Sequence, residues 1–236
     1  MKPIAIVTDI EGTTSSIRFV KDILFIYAEQ FLPDFIRKHK EERDVVRQLR
    51  SLSDNTGIPL KNTEALIEHL RKAMREDSKG TELKALQGMV WEMGYQRGEF
   101  QAHIYPDVPD KLREWLDAGI NLYVYSSGSE KAQRLFFRYS VAGDLRLMFS
   151  GYFDTSIGPK QEAQSYRNLA EWIALPPSDI LFLSDVEAEL DAAAAVGIKT
   201  VWVVRPQESA VDVETARKRC KHPVVSSFAE IDLEAL

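Results

Sequence analysis

The chain has 236 residues, 44% hydrophobic and 28% charged, which suits one large domain or a domain with a smaller one inserted, and excludes a disordered chain. Its 36 acidic and 30 basic residues leave a net charge of -6, which argues against a nucleic-acid binder but not against a small anionic substrate held by one buried lysine. No apolar run approaches the ~20 residues of a membrane span, and Asp9 and Glu11 interrupt the first apolar run too early for a signal peptide.

Residues 3–14 read Pro-Ile-Ala-Ile-Val-Thr-Asp-Ile-Glu-Gly-Thr-Thr. The apolar, partly β-branched run 4–7 predicts a buried strand that ends on Asp9, Glu11, Gly12 and two threonines. Residues 17–97 then read as almost wholly helical. Phe19, Val20, Ile23, Leu24, Tyr27, Phe31, Phe35 and Ile36 recur at helical spacing, and Pro33 is expected to break or kink that helix. Val45, Val46, Leu49 and Leu52 give further amphipathic turns, and residues 53–57 (Ser-Asp-Asn-Thr-Gly) read as a loop. Asn62 or Thr63 predicts the N-cap of the next helix, with Leu66, Ile67, Leu70 and Met74 on its apolar face. Leu83, Leu86, Met89, Val90 and Met93 mark another helix, fading near Gly94 and Gly98.

From here strands and helices alternate. A helix over 107–118 stops at Gly119, and a strand over 121–125 ends on Ser126-Ser127-Gly128-Ser129. A helix follows over 130–139. Tyr152, Phe153 and Ile157 suggest a third extended segment ending near Gly158-Pro159-Lys160, and 161–173 is helical. A strand over 180–183 ends on Ser184-Asp185, an alanine-rich helix runs over 187–196, and a strand over 199–204 precedes a helix near 211–218. Val224 and Val225 suit a short edge strand. This alternation indicates an α/β fold, a Rossmann-like parallel sheet with helices on both faces. The expected core is 1–16 with 99–236, and 17–98 is an inserted helical cap folded over the sheet's active edge. The single cysteine, Cys220, forms no intrachain disulfide and suggests a reducing compartment. Arg217, Lys218 and Arg219 before it would lower its pKa, although an ordinary thiol near a helix end is the commoner case.

Four strand ends carry polar groups: Asp9 with Glu11, Ser126 with Ser127, Lys160, and Asp185. Each has a bland explanation alone. Asp185, Glu187, Glu189 and Asp191 suit an acidic helix start, Ser126 and Ser129 suit helix caps, and most lysines are surface groups. Together they would share the carboxyl edge of one parallel sheet, where ligands bind. The chemistry that needs such a set is phosphoryl transfer through an aspartate nucleophile. Asp9 and Asp185 are hard oxygen ligands suited to Mg²⁺, Lys160 supplies positive charge, and Ser126 with the amides of the Gly128 turn supplies hydrogen bonds. Glu11, two residues past Asp9, suits proton transfer to the leaving oxygen and later from water.

These residues resemble the haloacid dehalogenase-like hydrolase superfamily, whose four motifs match Asp9 to Thr13, Ser126, Lys160 and Ser184-Asp185 in order. The run Asp-Ile-Glu-Gly-Thr-Thr from Asp9, the run Tyr-Ser-Ser-Gly-Ser from Tyr125, Gly158-Pro159-Lys160, and the run Ser-Asp-Val-Glu-Ala-Glu-Leu-Asp-Ala-Ala from Ser184 resemble the enolase-phosphatases of methionine salvage. That resemblance implies a Mg²⁺-dependent, monomeric, cytoplasmic enzyme acting on a small phosphorylated substrate, without nucleic acid or membrane. It implies conversion of 2,3-diketo-5-methylthiopentyl-1-phosphate to the acireductone 1,2-dihydroxy-3-keto-5-methylthiopentene and phosphate. It further implies Asp9 as nucleophile and metal ligand, and Glu11 as a metal ligand through its carbonyl with its side chain free for proton transfer. Ser126, Ser127 and Lys160 are implied as phosphate and substrate contacts, and Asp185 as a metal ligand. Other phosphatases or dehalogenases of the same fold, a phospho-acceptor signalling module, and a non-catalytic scaffold are the competing readings. The signalling module has no use for the helical block, and the scaffold would lack a motif.

Overall fold

Short, mostly apolar runs set the strands, and a helix in the connection between each successive pair lets them run parallel. The computed structural model describes residues 2–76, 78 and 80–235. The chain divides into two compact units, one of Met1–Phe19 with Ala102–Leu236 and the other of Val20–Gln101.

In the first unit the strands are β1 (Ala5–Thr8), β2 (Asn121–Tyr125), β3 (Gly151–Phe153), β4 (Ile180–Ser184), β5 (Lys199–Val203) and β6 (Val224–Val225). They form one sheet in the order β3-β2-β1-β4-β5-β6, with every neighbouring pair parallel. β1 lies at the centre. Val7 is opposite Tyr123 on β2 and Phe182 on β4, so the ends of these three strands are in register. Side chains alternate across the sheet. Ala5, Val7, Tyr123, Tyr125, Phe182 and Trp202 pack on one face with Tyr166, Leu169 and Leu190. Ile6, Leu122, Val124, Leu181 and Leu183 are buried on the other.

The helices of the second unit are α1 (Ile26–His39), α2 (Arg43–Thr56), α3 (Thr63–Arg75) and α4 (Thr81–Gln96). Those of the first are α5 (Val108–Asp117), α6 (Glu130–Arg138), α7 (Ala163–Ile173), α8 (Glu187–Ala194) and α9 (Val213–Arg219). α7 and α8 supply the residues that cover the Val7 face, and α5 contacts β2. A π-helical segment, Phe19–Phe25, leads into α1, and the Trp91 indole donates to the Leu24 carbonyl at 2.8 Å. The apolar stripes of α1 to α4 meet in a core of their own that includes Leu32, Leu49, Leu66, Leu70 and Leu86. Truncating any of these to alanine should cost about 2–5 kcal/mol. Among the described residues, no helix is long and apolar enough to cross a membrane.

Two expected breaks are absent, one in α1 and one in α2. Pro33 lies inside α1 and does not break it. The proline removes one amide donor, and the carbonyl it orphans belongs to the exposed Glu29, while buried Leu32 and Ile36 on either side hold the helix in place. Residues 53–56 are helical too. Thr56 donates its hydroxyl to the Leu52 carbonyl and Ser53 to the Ile58 carbonyl, both at 2.6 Å, so these polar residues are satisfied at a helix end rather than in a loop. Gly57, at φ +73, then closes α2. At Gly94, within α4, a Cβ would meet the Phe100 ring at 2.5 Å, so this glycine is a close approach rather than a helix stop.

Candidate active site

Asp9 lies one residue past β1, nearly buried, with its amide donating to the Leu183 carbonyl at 2.9 Å. This bond extends the β1–β4 ladder by one residue and fixes where the carboxylate leaves the sheet. The Asp9 Oδ1 accepts from the Ile10 amide at 2.7 Å, and Oδ2 lies 2.7 Å from Lys160 Nζ. The chain then turns tightly. The amides of Thr13, Thr14 and Ser15 all donate to the Ile10 carbonyl, and Gly12 N donates to Ser15 O. Gly12 has φ +72, and a Cβ there would overlap the Asp185 carboxylate. The turn therefore needs glycine twice, for its left-handed backbone and for the space that Asp185 occupies.

Ser126 ends β2. Its hydroxyl donates to Glu11 Oε2 at 3.1 Å and accepts from the Gly128 amide at 3.2 Å. Ser127, the next residue, is exposed on the following loop. Lys160 is nearly buried and is positioned by its own loop. The Tyr166 hydroxyl donates to the Lys160 carbonyl, and that of Tyr125 to the Gly158 carbonyl, both at 2.8 Å. Lys160 Nζ also lies 5.8 Å above the Tyr125 ring. Asp185 follows β4, and its carbonyl accepts from the Trp202 indole at 2.8 Å. Thus Lys160 pairs with Asp9 and Ser126 with Glu11, Glu11 lies within reach of the charges of both Asp9 and Lys160, and the Asp185 carboxylate packs on Gly12.

Glu189 belongs to the same group, although its sequence position suggested only an acidic helix start. It is nearly buried, lies 2.8 Å from Lys160 Nζ, and accepts from the Ser184 hydroxyl at 2.9 Å. The signal was its spacing. Glu189 stands in the first turn of α8, four residues past Asp185, so the strand end that delivers Asp185 also places the start of the helix that carries Glu189. Asp191, by contrast, turns to Lys221 at 2.8 Å and to His222 at 3.1 Å.

The charges are unbalanced. Burial pushes Glu11 above its ordinary value, and the charge of Asp9 adds to that. Asp185 is pushed up to about 7, first by burial and then by Asp9. Glu189 is raised for the same two reasons, with Lys160 opposing. Burial works against the Lys160 charge, but Asp9 and Glu189 outweigh it and hold the amine above its ordinary value. One buried ammonium serves four carboxyl groups, an arrangement that a further cation would relieve. The hydroxyl oxygen of Thr13 is also buried without a partner among the described residues. Elsewhere, burial raises the pKa of the Cys220 thiol, the opposite of what the three preceding basic residues suggested.

The sequence model of the haloacid dehalogenase-like hydrolases matches residues 5–197 of this chain. An Enolase-phosphatase E1 from Xylella fastidiosa (strain 9a5c) is 55% identical over 203 residues, 86% of this chain and 87% of that protein. One from Pseudomonas syringae pv. syringae (strain B728a) is 50% identical, covering 97% and 96%. Among solved structures, the UTR4 protein of Saccharomyces cerevisiae superposes with a TM-score of 0.82 at 35% identity, covering 97% of this chain and 100% of that one. CbbY from Rhodobacter sphaeroides, in complex with phosphate, shares the fold at a TM-score of 0.59 and 17% identity, over 97% and 96% of the two chains.

Proposed function

From the premise that this chain belongs to the haloacid dehalogenase-like hydrolases, and among them to the enolase-phosphatases, enzymes that hydrolyse phosphoric monoesters, we propose its substrate and mechanism. The substrate is 2,3-diketo-5-methylthiopentyl-1-phosphate, and the products are the acireductone 1,2-dihydroxy-3-keto-5-methylthiopentene and phosphate, in methionine salvage. Asp9 attacks phosphorus through a carboxylate oxygen. The bond from phosphorus to the substrate oxygen breaks, and an aspartyl phosphate forms. Glu11 gives its proton to the leaving oxygen, then takes one from the water that cleaves the aspartyl phosphate. The upward shift of Glu11 supports this role, because an acid must hold its proton near neutral pH. Lys160 holds the phosphoryl oxygens, and Ser126 and Ser127 orient the phosphate and substrate.

Enolisation comes first: Glu11, starting ionised, takes the proton from the carbon that bears the phosphate, the C–H electron pair moves onto the neighbouring carbonyl oxygen, and the protonated Glu11 is then the acid for the leaving oxygen. A Mg²⁺ ion fits the donor set, because hard carboxylate oxygens are in excess over the one buried cation beside them. Asp9, Asp185 and the Glu11 carbonyl would hold it. When bound it supplies Lewis-acid stabilisation of charge on phosphoryl and enolate oxygens. Such a set uses two side chains and one backbone carbonyl, with water completing the shell. Among the described residues, no three His, Cys, Asp or Glu side chains form a metal cluster, and this reading asks for none. The domain reading belongs to the same proposal, with 1–16 and 99–236 as the hydrolase core and 17–98 as an inserted helical cap. So do a monomeric state and a cytoplasmic location.

The observation that carries the mechanism is the contact of Lys160 Nζ with Asp9 Oδ2 at 2.7 Å, beside the Ser126–Glu11 hydrogen bond at 3.1 Å. Anaerobic stopped-flow absorbance on the diketo phosphate tests the reaction. An enediol chromophore should appear together with inorganic phosphate. Phosphate release with no enediol would make the enzyme a plain phosphatase of the same family.

A further inference from the structure

The end of β5 supplies a group that no motif of the site includes. Arg205, two residues past that strand, is only 4% exposed. Its Nε and Nη2 both donate to the Thr13 carbonyl, at 3.0 and 2.8 Å. Its Nη1 donates to both oxygens of Asp107, at 3.0 and 2.9 Å. Asp107 is itself fixed by the Phe228 amide at 2.6 Å. The guanidinium lies 4.1 Å from the Tyr105 ring, and the Tyr105 amide donates to the Thr14 carbonyl at 3.0 Å. A buried charge, its counter-ion and a stacked aromatic ring thus converge on two successive carbonyls of the Asp9 turn.

We propose that Arg205 is a positioning residue for catalysis, its guanidinium anchoring the Thr13 carbonyl and through it the turn that carries Glu11 and Gly12 beside Asp9. The role rests on the reading of Asp9 as the nucleophile. Thr13 directly follows Gly12, the residue packed on Asp185, so a shift at Thr13 moves both the Glu11 carboxyl group and the space Asp185 fills. The planar fork of arginine makes two bonds to one carbonyl while its third nitrogen faces Asp107, and the single ammonium of lysine cannot reproduce this. Displacements on the order of 1 Å at a reacting centre cost about 100-fold in rate.

The test compares Arg205→Lys, Arg205→Ala and Asp107→Asn with wild type and Asp9→Asn, on 2,3-diketo-5-methylthiopentyl-1-phosphate with Mg²⁺. Folding is checked by circular dichroism and thermal melting, and kcat and KM are measured separately. Folded Arg205→Lys should lose about 30-fold or more in kcat, with KM within about threefold of wild type. Guanidinium ion added to Arg205→Ala should restore kcat about tenfold, and ethylammonium should not. A merely structural clamp would lower the melting temperature and leave kcat and its rescue unmoved. Should neither Arg205 variant fold, Asp107→Asn keeps the arginine and frees its fork. A kcat lowered about fivefold with unchanged KM supports the role, and a wild-type kcat overturns it. Wild-type kcat in folded Arg205→Lys, or equal rescue by both cations, also overturns it. Substantial turnover by Asp9→Asn would instead overturn the nucleophile on which the role rests, whereas inactive Asp9→Asn beside fully active Arg205→Lys removes Arg205 alone.

Discussion

Replacing Lys160 with methionine should damage catalysis and stability by the same physical route, and the two effects separate by pH. Among the described residues the ammonium is the one cation paired with Asp9, at 2.7 Å, and with Glu189, at 2.8 Å, and all three side chains are nearly buried. Methionine keeps the length and the apolar stem of lysine while removing the charge. In the reaction, loss of one preorganised electrostatic group costs about 3 kcal/mol, a fall of more than 100-fold in kcat/KM. In the folded protein, removing one partner of a buried pair leaves uncompensated charge and costs about 3–5 kcal/mol while the carboxylates are ionised. Glu189 already sits above its ordinary value of 4.5 through burial and the charge of Asp9, with Lys160 opposing, so the variant should raise it further. A carboxyl group whose folded pKa is raised binds more protons folded than unfolded. Its protonated form therefore preserves stability at low pH, and that stability is lost as pH rises through the folded value. The deficit of Lys160→Met should accordingly be small near pH 4.5 and grow as pH increases above it. Thermal unfolding of both proteins in EDTA across that range measures the deficit, and steady-state kinetics with Mg²⁺ measures the catalytic loss. A deficit independent of pH, or a loss below about tenfold in kcat/KM, would refute the assignment of Lys160 as the buried counter-charge.

Asp185→Ala should weaken Mg²⁺ binding far more than Asp191→Ala, because Asp191 is engaged by Lys221 and His222, and calorimetry giving equal affinities would contradict this. EDTA should stop turnover, with activity returning on addition of Mg²⁺. Gly12→Ala should cost about 1–2 kcal/mol for the left-handed backbone alone, and should also displace the Asp185 carboxylate. Chemical denaturation reads the first effect and the Mg²⁺ activation constant the second. An alanine variant with unchanged metal dependence would show that Asp185 has room to move without consequence.

Much of the fold was readable locally. Short apolar runs at Ile6, Val124 and Leu181 alternate with amphipathic stretches of helical period, and that alternation has few solutions other than a parallel sheet. The polar groups after β1, β2 and β4 were legible because such a sheet delivers every strand's carboxyl end to one edge. Boundaries were less so. Pro33 and residues 53–56 carry breaker signals of their own, and the packing of Leu32, Ile36 and Leu52 overrode them.

What the sequence could not determine was which polar residues meet once the edge is formed. Glu189 looks like any acid at a helix start, yet it meets Lys160 from 29 positions further along the chain. Arg205 looks like a surface arginine after a strand, yet it is buried against the Thr13 carbonyl, 192 positions away. Periodicity and turn chemistry act over a few residues and are written in the order of the chain. The pairing of buried charges is decided by desolvation and distance in three dimensions, so only the folded sheet assigns each carboxylate its cation and the Asp9 turn its anchor.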